Sequence, residues 1–398
     1  MFQGVSNMKK ILEKYRDKGQ EILDWLNEHP EVSGQEKKTC EYLTGILKDY
    51  GYRIISPRAR MKYSFCAIHP EKEKQNLPKI AVLCEYDAME GVGHGCGHSA
   101  TCAASIISAL ALNDAQADLP FQVDIVGTPN EEIGGGKIKM MEHGAFNEYE
   151  FAIVTQAYPT NEPCFTTLAS NDLLIDFYGK QAHSSVNPWE GINALNGVQL
   201  FFHALDMMRI TLREGDQVHG VILDGGKIPN VIPEKATAYV YLRAKTLNRL
   251  MELKQKVINC AEGCAKAVEN RVNYSQRNPD YAEVFVGKEK NKIVCDVLEE
   301  LGFQWNSTSV ARGSSDIGNL DVLIPVFNPM ISTGVEEVPL YSREFSDLMK
   351  TDAGTRVMVN GAKVIMRIIE KLSENKELID AVKKEHADYR SSKNTEKQ

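Results

Sequence analysis

The chain has 398 residues, of which 43% are hydrophobic and 25% are charged, and its formal net charge at pH 7 is -8. This length and composition suit a globular enzyme of two domains. The negative charge argues against a nucleic-acid partner, because binding to a phosphate backbone needs a basic surface.

Hydropathy and cysteine usage bear on the cellular compartment. No apolar run approaches the roughly 18 residues that a membrane-spanning helix needs, so we expect no membrane partner. No charged segment followed by an apolar run opens the sequence, so we predict no secretory signal. The nine cysteines are an odd number without the spacing of a disulfide framework. Several, such as Cys84, Cys102 and Cys264, lie in apolar patterns typical of buried free thiols, which predicts a reducing, cytoplasmic location.

The first part of the chain alternates helical and strand-like patterns. The predicted elements are helices over 8–28, 35–50 and 100–112, and strands over 52–56, 64–68, 79–84, 121–127 and 151–155. This alternation predicts an α/β domain with a doubly wound, mostly parallel sheet. Ligands of such sheets bind at the carboxyl ends of the strands, where Asp87, Glu131 and Glu132 fall.

The pattern changes near residue 168. The predicted elements from there are strands over 173–178, 220–223 and 236–242 and helices over 193–210 and 247–269. This order predicts an inserted α+β sandwich with an antiparallel sheet, a lid over 168–286 between the two parts of the catalytic domain, 8–167 and 287–390. The last predicted helix covers 352–372, and we expect the polar tail after Glu385 to be frayed.

The loop after the strand over 79–84 carries the first candidate site. In it Gly93, Gly95 and Gly97 alternate with polar residues that include Cys96 and His98. Residues two apart in an extended segment share a face, so a thiolate and an imidazole could grip one zinc ion. Two other interpretations are a buried thiol beside a capping histidine, and a cysteine nucleophile with a histidine base. The nearby acidic strand ends favour the metal site, because a cation needs carboxylates.

Glu131 and Glu132 form the second candidate. They follow a buried strand and a proline and precede Gly134-Gly135-Gly136. One glutamate can bind a metal ion while its neighbour takes a proton from a water molecule. The alternative is an ordinary solvated pair on the surface.

Three polar residues of the predicted lid are also candidates. His183 closes the segment 179–183, Asn230 lies between two prolines in 229–233, and Arg243 ends a predicted strand. An arginine fork suits a substrate carboxylate. Alone, His183 would be an ordinary surface histidine.

Taken together, eight motifs resemble one known family. They lie at 86–88, 93–98, 127–132, 179–183, 188–191, 224–226, 229–233 and 314–319. The chain resembles the zinc-dependent amidohydrolases and peptidases that include aminoacylases, glutamate carboxypeptidases, succinyl-diaminopimelate desuccinylase and aminobenzoyl-glutamate hydrolase. It is most similar to the branch with a Gly-His-x-Cys-Gly-His loop, and the resemblance covers nearly the whole chain.

The resemblance implies a role for each candidate in the catalytic domain. Cys96, His98 and Glu132 match metal ligands for one or two zinc ions, with manganese or cobalt as alternatives. Glu131 matches the general base that activates water, and Asp87 matches the aspartate beneath the metal centre. The implied activity is hydrolysis of the amide bond of a small N-acyl amino acid, dipeptide or related peptide.

The resemblance also assigns the lid residues and an assembly. His183 matches a histidine that polarises the scissile carbonyl in the partner subunit, and Asn230 and Arg243 match groups that hold the oxyanion or carboxylate of the substrate. The family assembles through lid sheets that pair edge to edge, which implies a homodimer or a dimer of dimers.

The chain departs from the family pattern at three histidine positions. Tyr158 or a neighbour stands where one ligand is usual, Tyr341 stands at the C-terminal ligand, and Asn328 replaces a histidine before a proline. Neutral tyrosine is a poor zinc ligand beside imidazole. The alternative function is therefore a catalytically weakened or inactive relative that binds a small amide or peptide ligand.

Overall fold

The structure, a computed structural model, describes residues 2–114, 119–307 and 313–395. Its helices are α1 (Phe2–Glu28), α2 (Lys37–Asp49), α3 (Pro70–Glu73), α4 (His98–Asp114), α5 (Gly136–Glu142), α6 (Ala194–Arg209), α7 (Leu247–Ala267), α8 (Lys288–Glu300), α9 (Ile317–Leu323), α10 (Arg343–Leu348), α11 (Asp352–Glu374) and α12 (Lys376–Thr395). Its strands are β1 (Arg53–Ile55), β2 (Phe65–Ile68), β3 (Lys79–Cys84), β4 (Gln122–Gly127), β5 (Tyr149–Ile153), β6 (Gln156–Tyr158), β7 (Ala169–Tyr178), β8 (Ala182–His183), β9 (Gln217–Asp224), β10 (Val231–Ile232), β11 (Lys235–Ala244), β12 (Arg271–Ser275), β13 (Val326–Phe327) and β14 (Met330–Ser332).

The chain divides into two compact units. Unit 1 comprises the described residues up to Thr166 together with Val284–Thr395, and unit 2 comprises Thr167–Glu283. None of the helices in the described part of the chain is long and apolar enough to cross a membrane.

Unit 1 is built on a six-stranded sheet in the order β1-β2-β4-β3-β5-β13. The pairs β3/β4, β3/β5 and β5/β13 are parallel, whereas β1/β2 and β2/β4 are antiparallel. All six residues of β4 are buried, as expected for a sheet that is covered on both faces. The predicted α/β class with a mostly parallel sheet is confirmed.

Helix α4 lies at the centre of unit 1. It contacts β3 on one side and α1 and α11 on others, and it is buried from His98 to Leu112. Its many alanine and serine residues allow this close packing, because short side chains let neighbouring backbones approach. The larger residues Ile106, Ile107 and Leu110 fill the spaces between them. Burial of each such large side chain stabilises the fold by about 1.5–3 kcal/mol.

Unit 2 has a four-stranded antiparallel sheet in the order β12-β7-β11-β9, with α6 and α7 packed against it. Alternate residues of β11 are buried, so one face of this sheet forms the core with the two helices. Strands β12 and β9 are the two edges. Strands β8 and β10 form a separate two-stranded sheet in the same unit.

The prediction that the chain ends in a frayed tail is wrong, because α12 follows α11. On α12 the side chains of Val382 and His386 are buried, and the ring of Tyr389 stacks on Phe285 with centroids 4.1 Å apart. The His386 Nε2 atom also lies 2.7 Å from the carbonyl oxygen of Asp321. The helix is mostly polar, so its few spaced anchoring residues gave little signal in the sequence.

Candidate metal centre and active site

The ends of β3 and β4 place the acidic residues together. The two strands are parallel and Cys84 pairs with Gly127, so the segments after them leave the sheet at the same edge. There the backbone N–H of Glu132 donates to Oδ2 of Asp87 at 2.9 Å. The Ser33 hydroxyl donates to the same oxygen at 2.7 Å. Asp87 therefore ties the two strand ends to each other.

The glycine loop brings its two candidate ligands together by a turn. Gly97 has φ +85°, a left-handed conformation that favours glycine, and its N–H donates to the His94 carbonyl at 3.0 Å. A Cβ atom at this position would lie 2.4 Å from the Cβ of Ala157. The extended segment that we expected between Cys96 and His98 is therefore absent, because the chain turns at Gly97 and enters α4 at His98.

Cys96, His98 and Glu132 present ligand atoms that all lie within 4.8 Å of one another. Nδ1 of His98 donates to the Asp87 carbonyl at 2.9 Å, which fixes the ring and leaves Nε2 for a metal ion. Glu132 Oε1 is buried and has no hydrogen-bond partner among the described residues. One thiolate, one imidazole and one carboxylate suit zinc with an open fourth position. The donor set thus fits a catalytic metal ion.

Electrostatics around these ligands favour a cation. Burial raises the pKa of Glu131 well above its usual range, and repulsion from Glu85 and Glu132 adds to the effect. Burial also raises the pKa of Glu132, although the charge of His98 opposes it. Crowded carboxylates of this kind are stabilised by a divalent cation, which offsets both burial and mutual repulsion.

Asp87 and His98 stabilise each other's charged forms. Burial opposes ionisation of Asp87, but the nearby charge of His98, with Nδ1 3.5 Å from Asp87 Oδ1, and the hydrogen bonds from Ser33 and Glu132 outweigh it and hold the Asp87 pKa below its usual value. Burial likewise opposes the charge of His98, but Cys96, Asp87 and Glu85 outweigh it and raise the pKa of His98. Asp87 therefore lies behind the imidazole as an orienting carboxylate.

A second acidic cluster adjoins the first, and sequence reasoning did not assign it. Glu85, Glu131 and Asp316 present carboxylate oxygens within 4.8 Å of one another. The side chain of Lys137 is fully buried and pairs with two of these carboxylates, Glu85 and Asp316. The Ser315 hydroxyl donates to Glu131 Oε1 at 2.5 Å. The one sequence signal was position: Glu85 follows β3, and Lys137 follows the three glycines.

Two of the three residues at the usual histidine positions line the cavity with Cys96 and His98. Tyr158 and Tyr341 both line it, and so does Gln156, whose amide donates to Glu85 Oε2 at 2.9 Å. Tyr341 has φ +62°, and its N–H donates to the Gly95 carbonyl at 2.9 Å. A left-handed tyrosine is strained, and such strain concentrates at functional sites.

Asn328, at the third histidine position, has a different environment. Its side chain is buried, and its Nδ2 donates to the Phe165 carbonyl at 3.2 Å. Its Oδ1 accepts a hydrogen bond from the Cys164 thiol at 3.3 Å. These bonds occupy the amide in packing, and Asn328 is not among the residues that line the cavity.

The lid candidates lie in unit 2, where the structure brings two of them together. His183 pairs with Val231, and the Asn230 carbonyl accepts from Ser184 N–H at 3.0 Å, so His183 and Asn230 are neighbours. Both are exposed. Arg243 lies near the end of β11, and Lys235 lies at its start. At the rise per residue of an antiparallel strand, these two residues are roughly 27 Å apart. The Arg243 guanidinium lies over the ring of Tyr241.

Comparison with known proteins places the chain among peptidases. Residues 170–268 match the peptidase dimerisation domain of the M20 family. The chain is 30% identical over 319 residues to the Xaa-Arg dipeptidase of Mus musculus, which covers 77% of this chain and 73% of that protein. It is 30% identical over 338 residues to an N-acetylcysteine deacetylase of Bacillus subtilis, which covers 78% of this chain and 87% of that protein.

A solved structure supports the fold. A dinuclear metal binding peptidase of the M20 family from Bacillus subtilis superposes with a TM-score of 0.65 at 19% identity, over 89% of this chain and 99% of that one. At this identity the likeness concerns the fold alone. Two relatives share 30% identity with this chain over most of their length, and its residues 170–268 match the family's dimerisation domain. We therefore conclude that the chain belongs to the M20 peptidase family, a family of amide-bond hydrolases, as its sequence motifs predicted.

Proposed function

We propose that the protein is a metal-dependent hydrolase that cleaves the amide bond of a small N-acyl amino acid or dipeptide. The observation that carries the proposal is the convergence of Cys96, His98 and Glu132 beside Glu131, at the carboxyl ends of two parallel strands. The names of the two relatives, a dipeptidase and an N-acetylcysteine deacetylase, support substrates of this size and chemistry.

In this proposal Cys96, His98 and Glu132 hold one zinc ion, with manganese or cobalt as alternatives. When bound, the ion supplies Lewis-acid chemistry toward the substrate carbonyl. Glu131 acts as general base and takes a proton from the attacking water molecule. The Ser315 hydroxyl holds Glu131 Oε1, so it orients the other carboxylate oxygen, Oε2, which lies 3.8 Å from His98 Nε2.

The lid supplies the remaining polar groups. We assign His183 to polarise the scissile carbonyl of the substrate bound to the partner subunit, and Asn230 to the developing oxyanion. Arg243 binds a substrate carboxylate in the same assignment. The role of His183 toward the partner's substrate requires a shared site in a homodimer or dimer of dimers, which the matched dimerisation domain supports.

The edge strand β9 supports dimerisation. Its residues Val221, Ile222 and Leu223 are about half exposed, and the strand carries no lysine or arginine that would block pairing with another edge. On the neighbouring helix, Met207 and Ile210 are also exposed. Two copies that pair through β9 would bury this apolar surface and satisfy the free backbone groups of both edges.

A cytoplasmic location completes the proposal. All nine cysteines are free thiols, and seven of them are buried. Free thiols persist in reducing compartments, so they support an intracellular site of action.

The proposal is tested by turnover of a panel of N-acyl amino acids and dipeptides by the zinc-loaded protein and by Glu131→Gln. We expect Glu131→Gln to lower kcat by about 100- to 10,000-fold, because the general base is lost while the ligands remain. Zinc content measured on both proteins is the control. Turnover unchanged by the substitution would overturn the assigned mechanism.

Shared active sites are tested by complementation. Glu131→Gln and His183→Ala should each be inactive, and mixing them through denaturation and refolding should produce heterodimers with one intact site. Recovered activity supports the assignment of His183 across the interface. Heterodimers confirmed by mass spectrometry that remain inactive would show that each site is built within one chain.

Tyr158 and Tyr341 favour a second candidate function, a ligand-binding relative with little or no hydrolysis. Zinc content after purification without chelators separates the two. One zinc ion per chain that is lost in Cys96→Ala supports the enzyme, whereas a metal-free protein that binds dipeptides supports the alternative. A cysteine hydrolase fits less well, because burial raises the pKa of the Cys96 thiol and disfavours the thiolate.

A further inference from the structure

Lys137 is a buried cation in the middle of acidic residues. It lies in the first turn of α5, and its side chain has no exposed surface. Its Nζ atom lies 2.6 Å from Glu85 Oε1 and 2.7 Å from Asp316 Oδ1. Its backbone N–H also donates to Asp316 Oδ2 at 2.8 Å. Both the backbone and the side chain of Lys137 are therefore fixed by the same carboxylate.

The carboxylates around Lys137 have the spacing of a metal site. Glu85, Glu131 and Asp316 present oxygen atoms within 4.8 Å of one another, and oxygen-rich sites of this kind suit manganese or magnesium. The cluster adjoins the candidate zinc ligands, since His98 Nε2 lies 3.6 Å from Glu85 Oε2 and 3.8 Å from Glu131 Oε2. On donor atoms alone, the centre would hold two ions.

We propose that the Lys137 ammonium is a built-in cation that occupies the Glu85–Glu131–Asp316 cluster, so that the centre takes one metal ion per chain and not two. This inference rests on the proposed function for the first ion. Lys137 is a positioning residue in this arrangement, because its ammonium pairs with Glu85 and Asp316 and with none of the three proposed zinc ligands.

Charge and geometry both support the assignment. A divalent ion in the cluster would lie within a few ångströms of the ammonium, in a buried region where repulsion between cations is poorly screened. The ammonium already donates to Asp316 and forms an ion pair with Glu85, so a metal ion would have to break a buried charge-assisted hydrogen bond and a buried ion pair. These contacts also reach the proposed general base, Glu131. Lys137 pairs with Asp316, and the hydroxyl of the adjacent Ser315 donates to Glu131.

The same contacts explain why removal of the ammonium should create a metal site. Without Lys137 the carboxylates of Glu85 and Asp316 would remain buried without the ammonium that pairs with them, and a buried unpaired charge is strongly unfavourable. A divalent metal ion would then take the place of the singly charged ammonium, in a space lined by oxygen atoms. The substitution should convert a closed position into a manganese site.

The test is metal stoichiometry, measured on the full chain without reference to turnover. Wild type, Lys137→Ala and Lys137→Gln are loaded with zinc, dialysed and titrated with Mn²⁺, and bound manganese is followed by electron paramagnetic resonance. Lys290→Ala is the matched control, because Lys290 is equally buried in unit 1 but pairs with a single carboxylate, that of Asp321. Lys137→Gln keeps an N–H donor and so protects the fold.

We expect wild type and Lys290→Ala to bind one zinc ion and no manganese, and both Lys137 variants to bind one further manganese ion per chain. Two metal ions per wild-type chain would overturn the inference, and so would a folded Lys137 variant that binds no manganese. If wild type binds no zinc, the proposed function fails, but manganese uptake by the variants still decides this inference. If neither Lys137 variant folds, with or without manganese, the wild-type stoichiometry decides it.

Discussion

The two units differ in which unfavourable feature they carry: unit 1 buries charged groups, and unit 2 exposes apolar groups. Unit 1 buries charge: Glu85, Asp87, Lys137 and Asp316 are each at most 1% exposed. Unit 2 exposes hydrocarbon, with Val221 55% exposed on its edge strand. Both features disfavour the isolated fold. Proteins tolerate such costs where function requires them, so the two features support our proposal of chemistry at the buried charges and association at the apolar edge.

The largest expected effect tests whether buried charge in unit 1 depends on its pairing. Asp321 accepts from the Lys290 ammonium at 2.7 Å, and from the backbone N–H groups of Phe285 and Val326 at 2.8 Å each. Asp321→Ala would leave the ammonium buried without its partner, which should lower the free energy of unfolding by about 3–5 kcal/mol in urea titrations. Glu71→Ala, which breaks the exposed pair with Lys74, is the control and should cause no measurable change. Equal effects of the two substitutions would show that burial does not increase the importance of charge pairing in unit 1.

The second prediction separates the chemistry of unit 1 from the association of unit 2. Cys96→Ala removes one of three ligands, so zinc affinity should fall more than the roughly 10- to 100-fold typical of an outer partner. Competition with a chromophoric chelator measures this affinity. The oligomeric state should stay the same by light scattering. A dimer that dissociates together with the zinc would show that the metal also stabilises the interface.

The third prediction places a charge on the apolar edge. Ile222→Lys should weaken dimerisation by roughly 30-fold, about the 2 kcal/mol of an interface hot spot, because the ammonium would be buried between two copies. Light scattering over a concentration series measures the dissociation constant. Tyr274→Lys on β12 is a matched control, since Tyr274 is exposed on the opposite edge of the same sheet. Dissociation by the control variant alone would move the interface to β12.

The smallest effect concerns a buried carboxyl that lacks a cation. Burial, aided by the charge of Asp87, raises the pKa of Glu36 from 4.5 to about 7. Because the folded pKa exceeds the unfolded one, the native state binds the proton more tightly, and stability falls as pH rises from about 4.5 to 7. Glu36→Gln should remove this dependence and stabilise the protein at pH 8 by about 1–3 kcal/mol.

The control for Glu36→Gln is the same comparison of stability with wild type, made at pH 4. The hydrogen bond from Asn130 N–H to Glu36 Oε1, at 2.7 Å, can be kept by the glutamine oxygen. At pH 4 the wild-type side chain is neutral and the two proteins should have similar stability. A loss of stability by Glu36→Gln that is larger at pH 8 than at pH 4 would mean that the carboxylate is stabilised by contacts that outweigh its burial.

The sequence predicted what depends on local pattern. Strand β3 has the expected bounds, and the acidic residues after β3 and β4 were placed at one sheet edge because parallel strands end together. Cys96 and His98 were recognised as a pair, but the turn at Gly97 that joins them was not, because it depends on contact with Ala157.

Tertiary pairing accounts for what the sequence did not predict. Lys137 looked like any lysine after a glycine run, and only its ion pairs to strand-end and loop carboxylates reveal its burial. Asn230 and Arg243 seemed equivalent as lid groups, but Arg243 lies on β11 of the four-stranded sheet, whereas Asn230 lies beside His183 at the separate sheet of β8 and β10. Helix α12 has too few apolar residues to be recognised by hydropathy, and its packing depends on Phe285, about a hundred residues away.

The position of α4 also has a consequence for the order of synthesis. The glycine loop is tied to Tyr341 by a backbone hydrogen bond, and α4, which begins at His98, packs against α11. A nascent chain that ends before residue 340 lacks both supports, although all three candidate zinc ligands have been made. We therefore expect the candidate centre to form only after the segment from Tyr341 through α11 has joined the fold.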